Sequence, residues 1–261
     1  MIFETHAHYD DHWFDADREA LLKSFPEQGI TRVINVCADE ESLKETPALA
    51  ARYEFIYAAV GIHPSEISCL SEETLERIRT LAAGKKTVAI GEIGLDYHFE
   101  AAQEVHEAQK YWFLRQLTLA EETGLPVIIH SRDAAADTMK MMKGAAEKGI
   151  RGVIHCYSYE KTQALAYADM GYLIGVGGVV TFKNGRKLQE TVKELPLKSL
   201  LLETDAPYLS PEPHRGERNC SLYLPQVVSA IAEIKGVTPE EVEDVTYENA
   251  KELFLKSRCP N

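Results

Sequence analysis

The sequence predicts an α/β protein, a (β/α)8 or TIM barrel formed as a single domain over residues 1–261. Short apolar runs, several of them rich in Val or Ile, alternate with longer segments of helical spacing, and about eight such pairs are present. Strands that alternate with helices form parallel sheets, and eight such units close into a barrel. The length of 261 residues is ordinary for that barrel. An open doubly wound sheet is the alternative, but no Gly-x-Gly-x-x-Gly follows the first run.

The apolar runs are the predicted strands, and each is short enough to be a buried strand of a parallel sheet. In chain order they are 2–6, 31–37, 54–60, 87–92, 125–130, 152–155, 172–176 and 199–205. The clearest helical patterns cover 104–122, 133–148, 222–235 and 239–256. No low-complexity segment, long charge block or Gly/Ser-rich linker divides the chain, so we expect one domain.

The composition is that of an ordinary globular protein, with 45% apolar and 26% charged residues. The first residues lack the basic start and apolar stretch of a signal peptide, and no apolar run approaches the roughly 20 residues that span a bilayer. We therefore expect a cytoplasmic protein without membrane association. The five cysteines are scattered and form no Cys-x-x-Cys pair, which indicates reduced thiols.

The net charge of −13 comes from 28 Lys and Arg against 41 Asp and Glu. Such a charge repels polyanions at long range, so a nucleic-acid partner requires a local basic surface or bound cations.

Residues that bind metals recur at the ends of the predicted strands. His6 and His8 lie two positions apart at the end of the first strand, where both side chains project to one face. The other candidates follow or end strands three, four, five, six and eight; they are His63, Glu92, His130, His155 and Asp205. Because barrel enzymes assemble their sites at the C-terminal ends of the strands, we expect these side chains to meet there.

Imidazoles together with carboxylates suit zinc, manganese or iron, whereas magnesium prefers oxygen ligands. Even without His63, which we do not assign to an ion, four histidines and two carboxylates exceed what one tetrahedral ion needs, so the pattern favours two ions roughly 3.5–4 Å apart that clamp a phosphate or carbonyl and activate water. In this interpretation one ion lies on His6 and His8, and the other on His130 and His155. The catalytic residues are two carboxylates: Glu92 bridges the ions, and Asp205 binds an ion and orients or deprotonates the attacking water.

These residues lie in motifs that resemble the TatD family of metal-dependent deoxyribonucleases, within the amidohydrolase-like barrels, over nearly the whole chain. The motifs are Thr5-His6-Ala7-His8, Gly61-Ile62-His63-Pro64, Gly91-Glu92-Ile93-Gly94-Leu95-Asp96-Tyr97, Ile129-His130-Ser131-Arg132, His155-Cys156-Tyr157-Ser158, Glu203-Thr204-Asp205-Ala206-Pro207-Tyr208-Leu209, Pro213-His214-Arg215-Gly216 and Glu248-Asn249-Ala250.

The resemblance implies a barrel, phosphodiester hydrolysis and divalent metal, which we expect to be two ions of Mg, Mn or Zn. The family's ligand positions are matched here by His6, His8, Glu92, His130, His155 and Asp205. Tyr159 departs from the family, which often has glycine there. This substitution affects the expected pocket shape near strand six rather than the metal site.

The expected substrate is DNA, held by residues near the mouth of the barrel. Arg132 and Arg215 are candidates for phosphate contacts, because a guanidinium donates two parallel hydrogen bonds. The other expected contacts are His63, Tyr157, Tyr208 and His214, where the tyrosines stack bases or line the pocket. An acidic exterior disfavours long contacts with duplex DNA, so exonucleolytic trimming of single-stranded ends fits best.

Two other functions stay open at this point. The same metals and water would serve a different ester or amide hydrolase, such as a D-aminoacyl-tRNA deacylase, and neither the fold nor the ligands separate these reactions. A catalytically inactive barrel that serves as a binding scaffold is the third possibility, against which the complete ligand set argues.

Overall fold

The computed structural model describes residues 1–98 and 102–256. Eight parallel strands follow one another around a single sheet in chain order, and each pairs with the next. This arrangement confirms the predicted (β/α)8 barrel. The strands are Ile2–Ala7 (β1), Ile30–Val36 (β2), Ile56–Val60 (β3), Thr87–Asp96 (β4), Val127–Arg132 (β5), Gly152–Ile154 (β6), Leu173–Val176 (β7) and Leu200–Leu202 (β8).

Helices follow every strand, as expected for parallel pairing. Ser71 caps one of them with its hydroxyl, and Thr238 caps the last, where Pro239 occupies the first turn. In the described ranges the α-helices are Arg18–Ser24 (α1), Ser42–Arg52 (α2), Glu72–Ala82 (α3), Gln103–Thr123 (α4), Ala135–Glu147 (α5), Lys161–Asp169 (α6), Arg186–Glu194 (α7), Leu224–Lys235 (α8) and Pro239–Phe254 (α9). Within residues 1–98 and 102–256, no helix has both the length and the apolarity needed to cross a membrane.

The buried apolar side chains form two clusters. The larger cluster joins the strands to the surrounding helices. The smaller one brings together side chains from several strands and from α9, so the last helix is part of the core; it includes Phe3, Ile34, Val88, Ile128, Leu201, Tyr247 and Phe254.

Several strands end elsewhere than the apolar runs predict, and the largest differences are at β4 and β8. β4 continues past Glu92 to Asp96, because its last residues pair with β5, which itself runs to Arg132. β8 ends at Leu202, so Asp205 lies in the following loop rather than at the end of the strand. His155 comes directly after β6.

The barrel closes between β8 and β1 through few backbone contacts. The seam has one isolated bridge, between Ala7 and Ala206. The N–H of Asp205 donates to the carbonyl of His6 at 2.9 Å, and the N–H of His8 donates to the carbonyl of Ala206 at 2.8 Å. The loop after β8 is thus tied directly to the strand that carries the histidine pair.

A buried carboxylate reinforces this seam. Oε1 of Glu4 accepts hydrogen bonds from the backbone N–H groups of His6 and Thr204, both at 3.0 Å, and Oε2 accepts one from the Ser221 hydroxyl at 2.9 Å. Burial raises the pKa of Glu4 to about 7. The Glu4 side chain thus links β1 to the segment after β8, where the two strands share few backbone hydrogen bonds.

Candidate metal centre

Side chains from opposite sides of the barrel meet at the C-terminal ends of the strands. Nε2 of His6 lies 3.1 Å from Nε2 of His8 and 3.3 Å from Oε2 of Glu92. Oδ1 of Asp205 lies 3.5 Å from Nε2 of His8 and 3.8 Å from Nε2 of His6. Four donor atoms therefore converge, supplied by β1, the residue after it, β4 and the loop after β8.

The other oxygen of Glu92 faces a second set of imidazoles. Oε1 lies 2.9 Å from Nδ1 of His130, 3.8 Å from Nε2 of His155 and 4.0 Å from Nε2 of His63. Oδ1 of Asp205 is also 3.6 Å from Nε2 of His155. Glu92 thus lies between the two sets and contacts each with a different oxygen atom.

The donor spacing fits divalent metal. Ligand bonds of about 2.0–2.2 Å place neighbouring donor atoms about 3 to 3.6 Å apart in tetrahedral or octahedral coordination. Two of the three separations among His6, His8 and Asp205, 3.1 and 3.5 Å, are of this size and the third is 3.8 Å, and these three residues form one group able to hold an ion. A second such group contains His63, Glu92 and His130. The donors are imidazoles and carboxylates, which suit zinc or manganese.

The backbone at Asp205 has an uncommon conformation. Its φ of 58° lies in the left-handed region, which residues other than glycine seldom adopt. The hydrogen bonds of this loop to β1 hold the residue there, and the N–H of Tyr208 donates to the Asp205 carbonyl at 2.8 Å. Conformations of this kind persist where the surrounding structure imposes them, often at functional sites.

The carboxylates raise the pKa of neighbouring imidazoles. Burial lowers the pKa of His8, but Asp205 and Glu92 outweigh it and raise the pKa to about 9. Burial likewise opposes Asp96 and Glu92 at His130, whose pKa rises to about 9. Without metal these two histidines therefore carry protons at neutral pH.

The same interactions keep the carboxylates ionised. Burial alone would raise the pKa of Glu92 and of Asp205, but the surrounding histidines lower the pKa of both carboxyl groups. His63 behaves differently from His8 and His130: burial and the charge of His130 lower its pKa to about 4. His63 is therefore neutral at neutral pH.

Metal binding is expected to release protons. Ions bind neutral imidazole, whereas His8 and His130 of the metal-free protein stay protonated up to about pH 9. Affinity for Mn²⁺ should therefore rise with pH between about 7 and 9. Calorimetric titration of the metal-free protein with Mn²⁺ at one pH, in HEPES and in Tris, measures the release, because the heats differ by the ionisation enthalpy of the buffer. Equal heats in the two buffers would contradict this prediction.

Sequence reasoning missed several candidate residues of this site, among them Asp96 and Cys156. Asp96 is buried, and its Oδ2 lies 2.9 Å from Nε2 of His130. It follows Glu92 by four residues along β4, so the period-two rule for strands would have placed the two carboxylates on one face. Cys156, interpreted from the sequence only as a reduced thiol, groups with His155 and Asp205 as a set able to hold metal.

The histidine after β3 has a defined orientation. Nδ1 of His63 accepts a hydrogen bond from the backbone N–H of Ser65 at 3.1 Å, and so His63 caps the short 3-10 helix that follows. In a neutral ring the proton is then on Nε2, the atom that faces Glu92 and His130. The ring of His63 meets that of His130 edge to face at 4.2 Å between centroids.

Tyr157 does not lie where a substrate contact is expected. Its side chain is 2% exposed and belongs to the core, and its hydroxyl donates to the carbonyl of Glu160 at 2.6 Å. Cys156, with a φ of 44°, precedes it in a turn after β6. The ring is therefore buried rather than presented at the mouth.

The remaining expected substrate contacts differ in their surroundings. Arg132 ends β5 and is exposed. Its positive charge lowers the pKa of the Cys156 thiol, against the larger rise that burial causes. Arg215 is exposed and places its guanidinium over the ring of Phe182 at 3.7 Å. His214 stacks on Tyr223 with ring centroids 3.8 Å apart.

An exposed aromatic pair borders the site, and only one member was expected. Tyr208, three residues after Asp205, is 48% exposed, and Trp13 is 51% exposed, with ring centroids 6.5 Å apart. Arg218 fixes the loop of Trp13, since it donates to the Trp13 carbonyl at 2.7 Å and forms two hydrogen bonds with Asp17. Trp13 follows the histidine pair by only five residues, a proximity that could have indicated it.

The known proteins that are similar to this chain are metal-dependent hydrolases and nucleases. The family model described as TatD related DNase matches residues 3–255. The uncharacterized metal-dependent hydrolase YabD of Bacillus subtilis is 40% identical over 97% of this chain and 99% of its own length. The 3'-5' ssDNA/RNA exonuclease TatD of Cronobacter sakazakii is 33% identical over 95% of each protein.

A solved structure has the same architecture. The crystal structure of YjjV, a TatD homologue from Escherichia coli, matches with a TM-score of 0.90 and 32% identity, over 97% of each chain. The resemblance seen in the sequence motifs is thereby confirmed, and the clustered histidines and carboxylates are able to bind metal. The chain belongs to the TatD-related DNase family of metal-dependent hydrolases.

Proposed function

We propose that this enzyme is a cytoplasmic exonuclease that hydrolyses phosphodiester bonds at the ends of single-stranded DNA with two divalent ions. The observation that carries the proposal is the position of Glu92, whose two oxygens face two separate sets of metal-binding side chains. Sites of this kind suit in-line displacement at phosphate, where both the attacking and the leaving oxygen need stabilisation. The name of the Cronobacter relative supports a nucleic-acid substrate.

In this proposal each ion has its own histidine pair. His6 and His8 hold one ion, His130 and His155 hold the other, and Glu92 is shared. Asp205 completes the first set, since its Oδ1 lies nearest to His8. When bound, Mg, Mn or Zn would supply a Lewis acid and lower the pKa of water.

Asp205 and His63 have different roles in the proposed reaction. Asp205 is ionised, so it is able to accept a proton from the attacking water. His63 is neutral with its proton on Nε2, so it donates a hydrogen bond to a phosphate oxygen rather than offering a lone pair to an ion. This role agrees with the expectation that His63 contacts substrate.

The mouth of the barrel suits a short single strand. Arg132 and Arg215 supply positive charge for phosphates, with His214 next to Arg215, while Tyr208 and Trp13 offer faces on which unpaired bases stack. Bases in a duplex are already stacked and do not reach such a platform. The net charge of −13 further opposes an extended duplex contact.

Removing the aromatic pair is expected to weaken binding of single strands. Stacking contributes about 1–3 kcal/mol per base, so Trp13→Ala and Tyr208→Ala should each raise KM for a short oligonucleotide by about fivefold or more with little change in kcat. Tyr111→Ala removes an equally exposed ring from α4 and is the matched control. An unchanged KM in both mouth variants would exclude the stacking role.

One assay tests the proposed reaction and separates it from the open alternatives. Single-stranded and duplex DNA, each labelled at one end, are incubated with the metal-free protein plus Mg²⁺, Mn²⁺ or Zn²⁺, and an aminoacyl ester of transfer RNA is tested in parallel. A ladder that shortens from one end of the single strand supports the proposal and gives its polarity. Release of the amino acid alone favours the deacylase, and inactivity without metal-dependent thermal stabilisation favours a binding scaffold.

A further inference from the structure

A buried carboxylate outside the proposed ligand set lies against two of its histidines. Glu203 follows β8 and is 1% exposed. Its Oε1 accepts a hydrogen bond from the backbone N–H of Cys156 at 2.6 Å and lies 3.1 Å from Nδ1 of His155. A buried carboxylate needs several hydrogen-bond donors, and one backbone N–H is too few.

Three buried polar atoms near Glu203 lack hydrogen-bond partners in the described part of the chain. They are Oε2 of Glu203, Nδ1 of His6 and Nδ1 of His155. The nitrogen of His155 is close to the carboxylate but outside hydrogen-bond geometry. One ring nitrogen of each histidine and a Glu203 oxygen lie within 4.8 Å of one another. A proton on each Nδ1 would give two donors, and the Glu203 carboxylate is the acceptor in this group.

The two rings are arranged so that a single carboxylate serves both. His6 and His155 stack with centroids 3.4 Å apart and planes 16° apart. Nε2 of each ring faces Glu92 and Asp205, so Nδ1 is the nitrogen left for another partner.

A glycine on the neighbouring strand makes room for the carboxylate. A Cβ atom built at Gly175 in β7 would lie 2.3 Å from Oε2 of Glu203 and 2.5 Å from its Oε1. These separations are far below any van der Waals contact, so the carboxylate occupies the space that a side chain at position 175 would need. Gly175 and the N–H of Cys156 therefore position Glu203 from two directions.

We propose that Glu203 is a positioning residue that accepts the Nδ1–H of both His155 and His6. A neutral imidazole has one N–H, and its placement on Nδ1 leaves the lone pair on Nε2, where an ion is bound. The inference rests on the proposed ligand set, in which His6 and His155 serve different ions. One carboxylate then sets the tautomer and the orientation of one ligand for each ion.

The test measures metal binding and tautomer directly, without DNA. Glu203→Gln keeps the shape but replaces one acceptor oxygen with an NH₂ group, which donates instead. Loss of such an outer contact typically lowers metal affinity 10- to 100-fold, so we expect a loss of about that size for Zn²⁺ by competition titration. In the metal-free proteins His6 is neutral, because burial and the charge of His155 lower its pKa, so its imidazole ¹⁵N shifts should show the proton on Nδ1 in the wild type and mixed tautomers in the variant. Glu190→Gln, an exposed carboxylate on α7, is the matched control.

A second variant keeps the carboxylate and displaces it. Gly175→Ala introduces a methyl group where Glu203 lies, so its Zn²⁺ affinity should fall in the same direction, which also covers the case in which Glu203→Gln does not fold. Wild-type affinity and unchanged tautomers in the folded variants would overturn the inference. If the wild type binds Zn²⁺ as expected but cleaves no nucleic acid, the proposed function fails while this inference stands.

Discussion

Asp205→Asn is expected to lower kcat for phosphodiester hydrolysis by about 1000-fold, within the range of a lost general base. Oδ1 of Asp205 lies between 3.5 and 3.8 Å from the Nε2 atoms of His6, His8 and His155. One oxygen is thus near ligands of both proposed ions. Asparagine keeps the size of the side chain but carries no charge and does not take up a proton from water.

The comparison that isolates this effect uses saturating Mn²⁺ and measures bound metal alongside kcat and KM. Asp169→Asn, at the exposed end of α6, makes the same chemical change away from the centre and should retain wild-type kinetics. His130→Ala should also lose activity, but through loss of bound metal. Wild-type turnover in both Asp205→Asn and His130→Ala would refute the assignment of the site.

The strands and the convergence of the site follow from simple sequence rules. Every apolar run became a strand, because a buried parallel strand needs little more than a short stretch of Val, Ile and Leu. The period of two placed His6 and His8 on one face, and their Nε2 atoms lie 3.1 Å apart. Parallel strands bring their carboxyl ends together, which is why His130, distant in sequence, reaches Glu92.

Features that depend on loop geometry were beyond those rules. Asp205 is not on a strand: its positive φ and its bond to the carbonyl of His6 place it. Arg218 pairs with Asp17, from which it is separated by 201 positions in the sequence. Tyr157 next to a ligand predicts a pocket residue, but the turn at Cys156 leaves its ring in the core.

Two carboxylates beside the proposed ligands, Asp96 and Glu203, could not be identified from the sequence for a different reason. Asp96 and Glu203 lie inside motifs that were already assigned to ligands, and composition does not separate a residue that binds metal from one that orients it. Only distances make that separation. His130 uses Nδ1 toward Glu92 and Nε2 toward Asp96, whereas His155 faces Glu92 with Nε2.

The histidine pair of β1 gives the most discriminating prediction about metal stoichiometry. From the sequence alone, loss of either His6 or His8 should weaken one ion and spare the other. The structure distinguishes the two residues. His8 is anchored outside the pair, by the contact of its Nδ1 with the carbonyl of Val36 at 2.8 Å, whereas His6 stacks directly on His155.

His8→Ala should therefore reduce bound Zn²⁺ from two ions to one and leave the affinity of the remaining ion within about threefold. His6→Ala should also lose one ion, but the other should bind about tenfold more weakly or worse, because His155 loses the ring that packs against it. Calorimetric titration with elemental analysis of the dialysed proteins gives both numbers. Equal effects of the two substitutions on the remaining ion would mean that the stacked rings do not couple the sites. Loss of both ions in His8→Ala would mean that neither ion binds at Glu92 without the other.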